Sequence, residues 1–195
     1  MTVDVFRSRR LVLPGPSELP AVADFASRRG FKLIRDATSD PRFGVTRELA
    51  WELDPGLELY YVEETKMASC FLQVEGDDKE DVNETADLLA ELFRAASPER
   101  LLDDVDSAAT AEQYASAILR LGLGAPAAFD EEVYRRIAAA IDADGADIRR
   151  AGIWSTAFSR WPEFGELLER VAATDEVPEL RREAAIVGQF EGGRS

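Results

Sequence analysis

Two periods of apolar residues divide this chain. Over the first hundred positions a period of two alternates with helical spacing, and from about residue 97 only the helical spacing remains. The clearest alternation is VTRELAWELD, Val45 to Asp54, where Leu49, Trp51 and Leu53 share one face and Glu48, Ala50 and Glu52 the other. Asp54-Pro55-Gly56 supplies turn chemistry and LELYYVEE resumes the strand pattern at once, which predicts a hairpin. Glu64-Thr65-Lys66 predicts a second tight connection into MASCFLQVE, giving an antiparallel meander. FRSRRLVLPG, Phe6 to Gly15, and FKLIRD, Phe31 to Asp36, are further strand candidates.

A sheet with one polar face needs a helix layer on the other. Two segments can supply it. Ser17 is placed to cap a helix with apolar positions Leu19, Val22, Ala23 and Ala26, stopped by Gly30. Lys79 to Ala95 carries Val82, Ala86, Leu89 and Phe93 at helical spacing, and its acid-rich first turn complements the helix dipole.

Beyond residue 97 alanine rises and segments of helical period are separated by short polar loops. ERLLDDV, AEQYASAILRLG, DEEVYRRIAAAI, DIRRAGIWSTAFSRW, EFGELLERVAAT and PELRREAAIVGQF are the predicted helices, and the tail EGGRS is expected to fray. Within this half the chain nearly repeats itself. RIAAAIDADGADIRRAG, Arg136 to Gly152, aligns with RVAATDEVPELRREA, Arg170 to Ala184, the second copy having the shorter loop. Each copy ends a helix, crosses an acidic break, and opens the next helix with an acid, an aliphatic residue and two arginines. A fainter copy runs from Leu92 to Ala111 and beyond. Antiparallel helix pairs of this kind cannot bury their apolar faces alone, so neighbours stack.

The pattern resembles the HEAT-repeat and related α-solenoid families. The resemblance rests on Asp147, Ile148, Arg149 and Ala151 in one copy, on Glu179, Leu180, Arg181 and Ala184 in the other, and on Pro162 where a helix begins. It covers about half the chain. It implies a stacked helical domain, and solenoids as a class bind other macromolecules along a surface. The expected fold is therefore α+β: residues 1–96 form a small antiparallel sheet with two helices, 97–190 an all-α HEAT-like domain, and 191–195 a flexible tail.

Composition narrows the chemistry. Histidine is absent, which removes the commonest general base, Ser-His-Asp and Cys-His catalysis, and most zinc sites. The single cysteine, Cys70, sits in an apolar strand-like run and reads as a buried, inert thiol. No run approaches the ~18 apolar residues of a membrane span, and MTVDVFRSRR lacks the layout of a signal peptide. These point to a cytoplasmic protein. Arginine far outnumbers lysine and alanine is abundant, a bias of GC-rich bacterial coding.

The formal net charge is −15, which argues against nucleic-acid or anionic-membrane binding. Residues 75–106 hold 12 Asp/Glu against 3 Lys/Arg. Such an acidic face serves solubility, or meets a basic protein partner.

No motif carries a cofactor or a metal. GDDKEDVNE, Gly76 to Glu84, and DADGAD, Asp142 to Asp147, fail the oxygen-ligand and glycine positions of a calcium loop, and GLGAPA at Gly122 follows a helix where a dinucleotide loop needs a strand. No catalytic residue is singled out. Trp154 and Trp161, seven apart, are expected on one helical stripe, as core or as a partner-binding patch. One arginine of each pair Arg149-Arg150 and Arg181-Arg182 is expected to bridge to an acid on a neighbouring helix, leaving the other for an acidic partner or phosphate.

The leading reading is a non-enzymatic binding protein, an adaptor, regulator or immunity-protein-like inhibitor, whose acidic surface at Asp77, Asp78, Glu80 and Asp81 meets a basic protein partner. Arg149, Arg150, Arg181 and Arg182 are the second set of candidate contacts. The alternative is an enzyme of unfamiliar type using carboxylates or tyrosines in a cleft between the halves. A nucleic-acid-binding solenoid like the alkylated-base glycosylases would share the helical architecture but lacks the basic groove.

Overall fold

The computed structural model describes residues 5–38, 45–64, 68–159 and 161–192. The chain divides into two compact units, Met1–Ser97 and Pro98–Ser195.

The first unit is built on a six-stranded sheet, all of its pairings antiparallel. Its strands are β1 (Phe6–Arg7), β2 (Leu11–Val12), β3 (Lys32–Ala37), β4 (Val45–Asp54), β5 (Leu57–Glu64) and β6 (Ser69–Gly76). β4, β5 and β6 lie side by side; β3 flanks β4, while β1 and β2 both pair with β6. The register aligns Leu49 with Tyr61 and Leu72, and Trp51 with Leu59 and Val74. Because side chains alternate across a strand, these rows form one apolar face. Helices α1 (Leu19–Arg29) and α2 (Lys79–Leu92) bury Val22 and Ala26, and Val82, Ala86 and Leu89, in the same core. Phe25 stands edge-on to both Phe31 and Phe93 and closes one end of that layer.

Several details depart from the sequence expectation. The run from Phe6 to Gly15 is two short strands, because Ser8 interrupts it: its hydroxyl accepts from Val74 N–H at 3.0 Å, replacing a ladder carbonyl. Ser17 does not cap α1. It donates to Glu63 Oε1 at 2.5 Å, and Glu18 occupies the cap position with no side-chain bond. Pro20 in the first turn lowers the number of backbone donors that need a cap. α2 ends at Leu92 with Phe93 as its cap, short of the expected Ala95. Of the turn expected at Glu64-Thr65-Lys66, Glu64 still belongs to β5, and 65–67 lie outside the described residues.

The second unit holds α3 (Pro98–Asp106), α4 (Ala111–Leu123), α5 (Glu131–Ile141), α6 (Ala146–Ser159), a 3-10 turn at Pro162–Phe164, α7 (Gly165–Thr174) and α8 (Pro178–Gly192). Thr110 caps α4 and Asp130 caps α5 through their side-chain oxygens. Consecutive helices pair, α3 with α4, α5 with α6 and α7 with α8, and the second helices pack in a row, α4 on α6 and α6 on α8. α8 runs two residues into the segment expected to fray, and 193–195 lie outside the described residues.

The α4–α6 crossing is close because Gly122 has no side chain. A Cβ there would stand 2.4 Å from Ser155 Cβ and 2.5 Å from its carbonyl oxygen. Ser155 turns its hydroxyl back onto Gly152 O at 2.7 Å, so the hydroxyl is satisfied within α6. Gly122→Ala is therefore expected to cost about 1–3 kcal/mol by forcing two backbones apart, although alanine is the better helix former. A urea titration with an unchanged midpoint would show that the crossing yields freely.

Trp154 and Trp161 do not share a helical stripe. α6 stops at Ser159, and Trp161 precedes Pro162 in extended conformation, as the steric demand of a following proline requires. Trp161 is buried in an aromatic cluster with Phe129 and Phe164. Trp154 is half-buried and donates its indole N–H to Glu183 at 3.2 Å. Among the described residues, no helix is long and apolar enough to cross a membrane.

Candidate functional site

The start of α2 is set by Asp78, whose carboxylate accepts from Glu80 N–H at 2.8 Å and Asp81 N–H at 3.1 Å. Glu80 and Asp81 add negative charge to the first turn, where the helix dipole favours it. Opposite stands the β4–β5 turn. Gly56 adopts φ +84, a left-handed conformation that glycine takes without strain, and its carbonyl accepts from Asp77 N–H at 3.2 Å. The Asp77 carboxylate lies so close to Gly56 that a Cβ there would meet both its oxygens within 3 Å.

This docking creates an acidic pocket of about 220 Å³ between turn and helix, lined by Asp54, Asp77, Asp78, Asp81 and Glu84. Three of the four acids expected in the binding surface, Asp77, Asp78 and Asp81, meet there; Glu80 lies on the exposed first turn and does not line it. Among the described residues, the side chains of Asp54, Asp77, Asp81 and Glu84 have no ion-pair or hydrogen-bond partner, while Asp78 is engaged as the helix cap. No group of three or more Cys, Asp or Glu among the described residues is placed to hold a metal ion.

The pocket opens into a larger apolar groove of about 690 Å³, and the two share Asp54, Leu57, Thr85 and Leu88. Its walls are Phe25 and Arg29 of α1, Phe31, Leu53 of β4, and the outer face of α2. That outer face reads Asp81, Thr85, Leu88, Leu92 at steps of four, three and four, and Glu91 lines the groove beside the two leucines. Leu88 is 69% and Leu92 56% exposed. Sequence reading missed this feature, yet its signal is visible: Leu88 and Leu92 form a second apolar stripe beside the core stripe of Val82, Ala86 and Leu89.

The arginines have the opposite fate. Arg149 is 8% exposed and makes a bidentate pair with Asp175, at 2.8 and 3.1 Å, while donating to the carbonyls of Ala143 and Asp144. Arg181 donates to the carbonyl of the same Asp175 at 2.6 Å. Arg150 reaches Asp147 and Glu183, and Arg182 reaches Glu179 and the Pro178 carbonyl. Arg149 therefore bridges to an acid in the loop before α8, and Arg150, its neighbour in sequence, bridges to α8 itself. Bonding to the Arg149 guanidinium holds the Asp175 carboxyl below the usual carboxylate range, and Val177 N–H adds to the effect.

Cys70 and Tyr61 are fully buried side by side in the sheet core. Burial pushes the Cys70 thiol up and holds it neutral. Burial also raises Tyr61, whose hydroxyl donates to Glu63 at 2.7 Å and accepts from Glu18 N–H at 3.0 Å. The phenol of Tyr60 is raised too, first by burial and then by its bond to Glu58. Neither tyrosine lines the pocket or the groove. The Tyr61 bond to Glu18 ties the start of α1 to the sheet, while the Tyr60 bond stays within β5.

No protein family, no curated protein and no solved structure matches the chain.

Proposed function

We propose that this chain is a non-enzymatic, protein-binding adaptor, regulator or inhibitor of the immunity-protein kind, of bacterial origin and cytoplasmic, which offers an acidic face to a basic protein partner. The observation that carries the reading is an imbalance in how charge is used. The candidate arginines are spent on the protein's own loops and helices, whereas four carboxylates around the α2 start face solvent without a partner among the described residues. Unneutralised carboxylates held on a helix start and a hairpin turn attract cations from solution and steer a basic surface toward themselves.

The HEAT-like reading of the second unit accompanies this. Three helix pairs with their second helices in a row support it, as do Arg149 and Arg181, which both donate into the loop before their own helix. In this arrangement the second unit is a stacked scaffold, and Arg149, Arg150, Arg181 and Arg182 serve the stack more than a ligand.

The test is kinetic. A partner captured from the native cell is expected to associate about tenfold or more faster at low salt than at high salt, since exposed charges act over a screening length of about 8 Å at physiological ionic strength. Reversing Asp77, Glu80 and Asp81 to lysine should remove most of that dependence. Asp78 is left in place because losing this cap would cost about 1 kcal/mol of fold stability. A salt-independent association rate, or full binding by the reversed variant, would sink the acidic-face reading.

A further inference from the structure

We propose that the partner docks on the first unit as a single amphipathic α-helix with a basic end: its apolar side chains enter the groove beside Leu88 and Leu92, and its Lys or Arg side chains reach Asp54, Asp77 and Asp81. The inference rests on the reading that the partner is a protein with a basic surface, and it adds the shape of the bound segment.

The apolar part comes from α2. This helix satisfies the sheet with Val82, Ala86 and Leu89, so Leu88 and Leu92 are a second stripe with nothing over it. Two large aliphatic side chains one turn apart, above a concave apolar floor of Phe25, Phe31 and Leu53, form the receiving half of a helix-in-groove contact. The stripe also sets a length. From Asp81 to Leu92 the helix advances about 16 Å, which matches about three turns of an occupant carrying anchors at i, i+4 and i+7.

The occupant's backbone follows from the walls. α2 and α1 bond their main chains internally, and of the groove-side hairpin residues Asp54 and Leu57 pair with each other, while Leu53 sits at the register shift between Glu52 and Asp54. An extended segment would find no ladder there. The edge strand β3 that offers one does not line the groove. A helix arrives with its own hydrogen bonds made and asks the groove only for apolar contact.

Charge favours one direction: five carboxylates line the acidic pocket, while the groove's own Glu91 is accompanied by Arg29. The acidic pocket lies at the N-terminal end of α2, and the leucines lie toward its C-terminal end. An occupant running antiparallel to α2 brings its own C-terminal turn to the carboxylates. Lysine and arginine are favoured in that turn by the occupant's dipole as well as by the pocket. The same acids repel an anionic lipid surface and the carboxylate of a fatty acid.

The experiment uses the full chain as bait for a displayed library of helix-forming peptides of 16 residues, randomised at apolar and charged positions. The enriched peptides are expected to carry apolar residues at i, i+4 and i+7 with Lys or Arg in the last turn. In fluorescence anisotropy, Leu88→Ser/Leu92→Ser is expected to weaken the best of them at least tenfold. Asp77→Asn/Asp81→Asn should weaken it about tenfold and flatten its salt dependence. All four side chains are exposed, so both variants should melt with the parent. Basic peptides that bind the serine variant undiminished would leave the basic-partner reading standing and overturn the groove. Enrichment of acidic or uncharged sequences, or of none, would overturn both. A parent chain that sediments as a dimer and a serine variant that sediments as a monomer would assign the leucines to a second copy and overturn the proposal.

Discussion

Trp51→Ala is expected to destabilise the first unit by about 3–5 kcal/mol, the cost of emptying a large core site. Trp51 is 5% exposed, in the middle of β4, paired on one side with Leu33 and on the other with Leu59. Its indole belongs to the cluster that joins Leu59, Leu72 and Val74 of the sheet to Val22 of α1 and Val82 of α2. Truncation opens a cavity in the cluster that both helices share with the sheet, and a strand paired on both sides cannot move in to fill the space. The measurement should be specific to this unit, because two units unfold in separate steps when they are independent. Amide hydrogen exchange in β5 and β6 reports it directly. Protection lost in those strands, with α6 and α8 unchanged, is the expected pattern. A loss below about 1 kcal/mol would mean that Trp51 is no part of this core.

That core was legible from sequence because its residues obey a local rule. Leu49, Trp51 and Leu53 alternate and the Asp54-Pro55-Gly56 turn fixes the hairpin, but the turn alone would set Trp51 against Tyr60, and a register shift between Glu52 and Asp54 brings it to Leu59 instead. The features that escaped depend on partners far away in the chain. Ser17 looks like a helix cap, but its hydroxyl is drawn to Glu63, which only the folded sheet brings near. Ser8 breaks a strand by bonding Val74, which is equally invisible locally. The end of α6 is different: Pro162 disfavours helical backbone at Trp161, so the separation of Trp161 from the stripe of Trp154 was present in the sequence as a steric rule. In the candidate site, clustering of acid was visible and its geometry was not. Asp77 enters the pocket through its contact with Gly56, and the leucines beside it read as ordinary helix filler until the core face of α2 is known.

Arg149→Ala is expected to cost the second unit about 3–5 kcal/mol, because it leaves a buried charge without its partner. The guanidinium is the knot between two loops. It donates to Ala143 and Asp144 in the loop before α6, and to both oxygens of Asp175 in the loop before α8. Asp175 also receives Val177 N–H, so its carboxylate opens α8 as well as anchoring the arginine. With its side chain 5% exposed, Asp175 has little access to water once the guanidinium is gone. Adding Asp175→Asn to Arg149→Ala should recover part of the loss, since the amide keeps the bond from Val177 and carries no charge. Acid provides a second readout. In the folded protein Asp175 titrates below its ordinary value, so the stabilisation is complete above about pH 4 and fades as pH falls through the lowered folded-state value. In Arg149→Ala the guanidinium that depresses this carboxyl is gone, so the variant has less of this stabilisation to lose in acid. The stability gap between parent and variant is thus widest near neutrality and narrows below about pH 4. Urea titrations at pH 7, 4 and 3 measure it; a gap that stays constant across them, or one under about 1 kcal/mol at neutrality, would remove Arg149 from the centre of the helical unit.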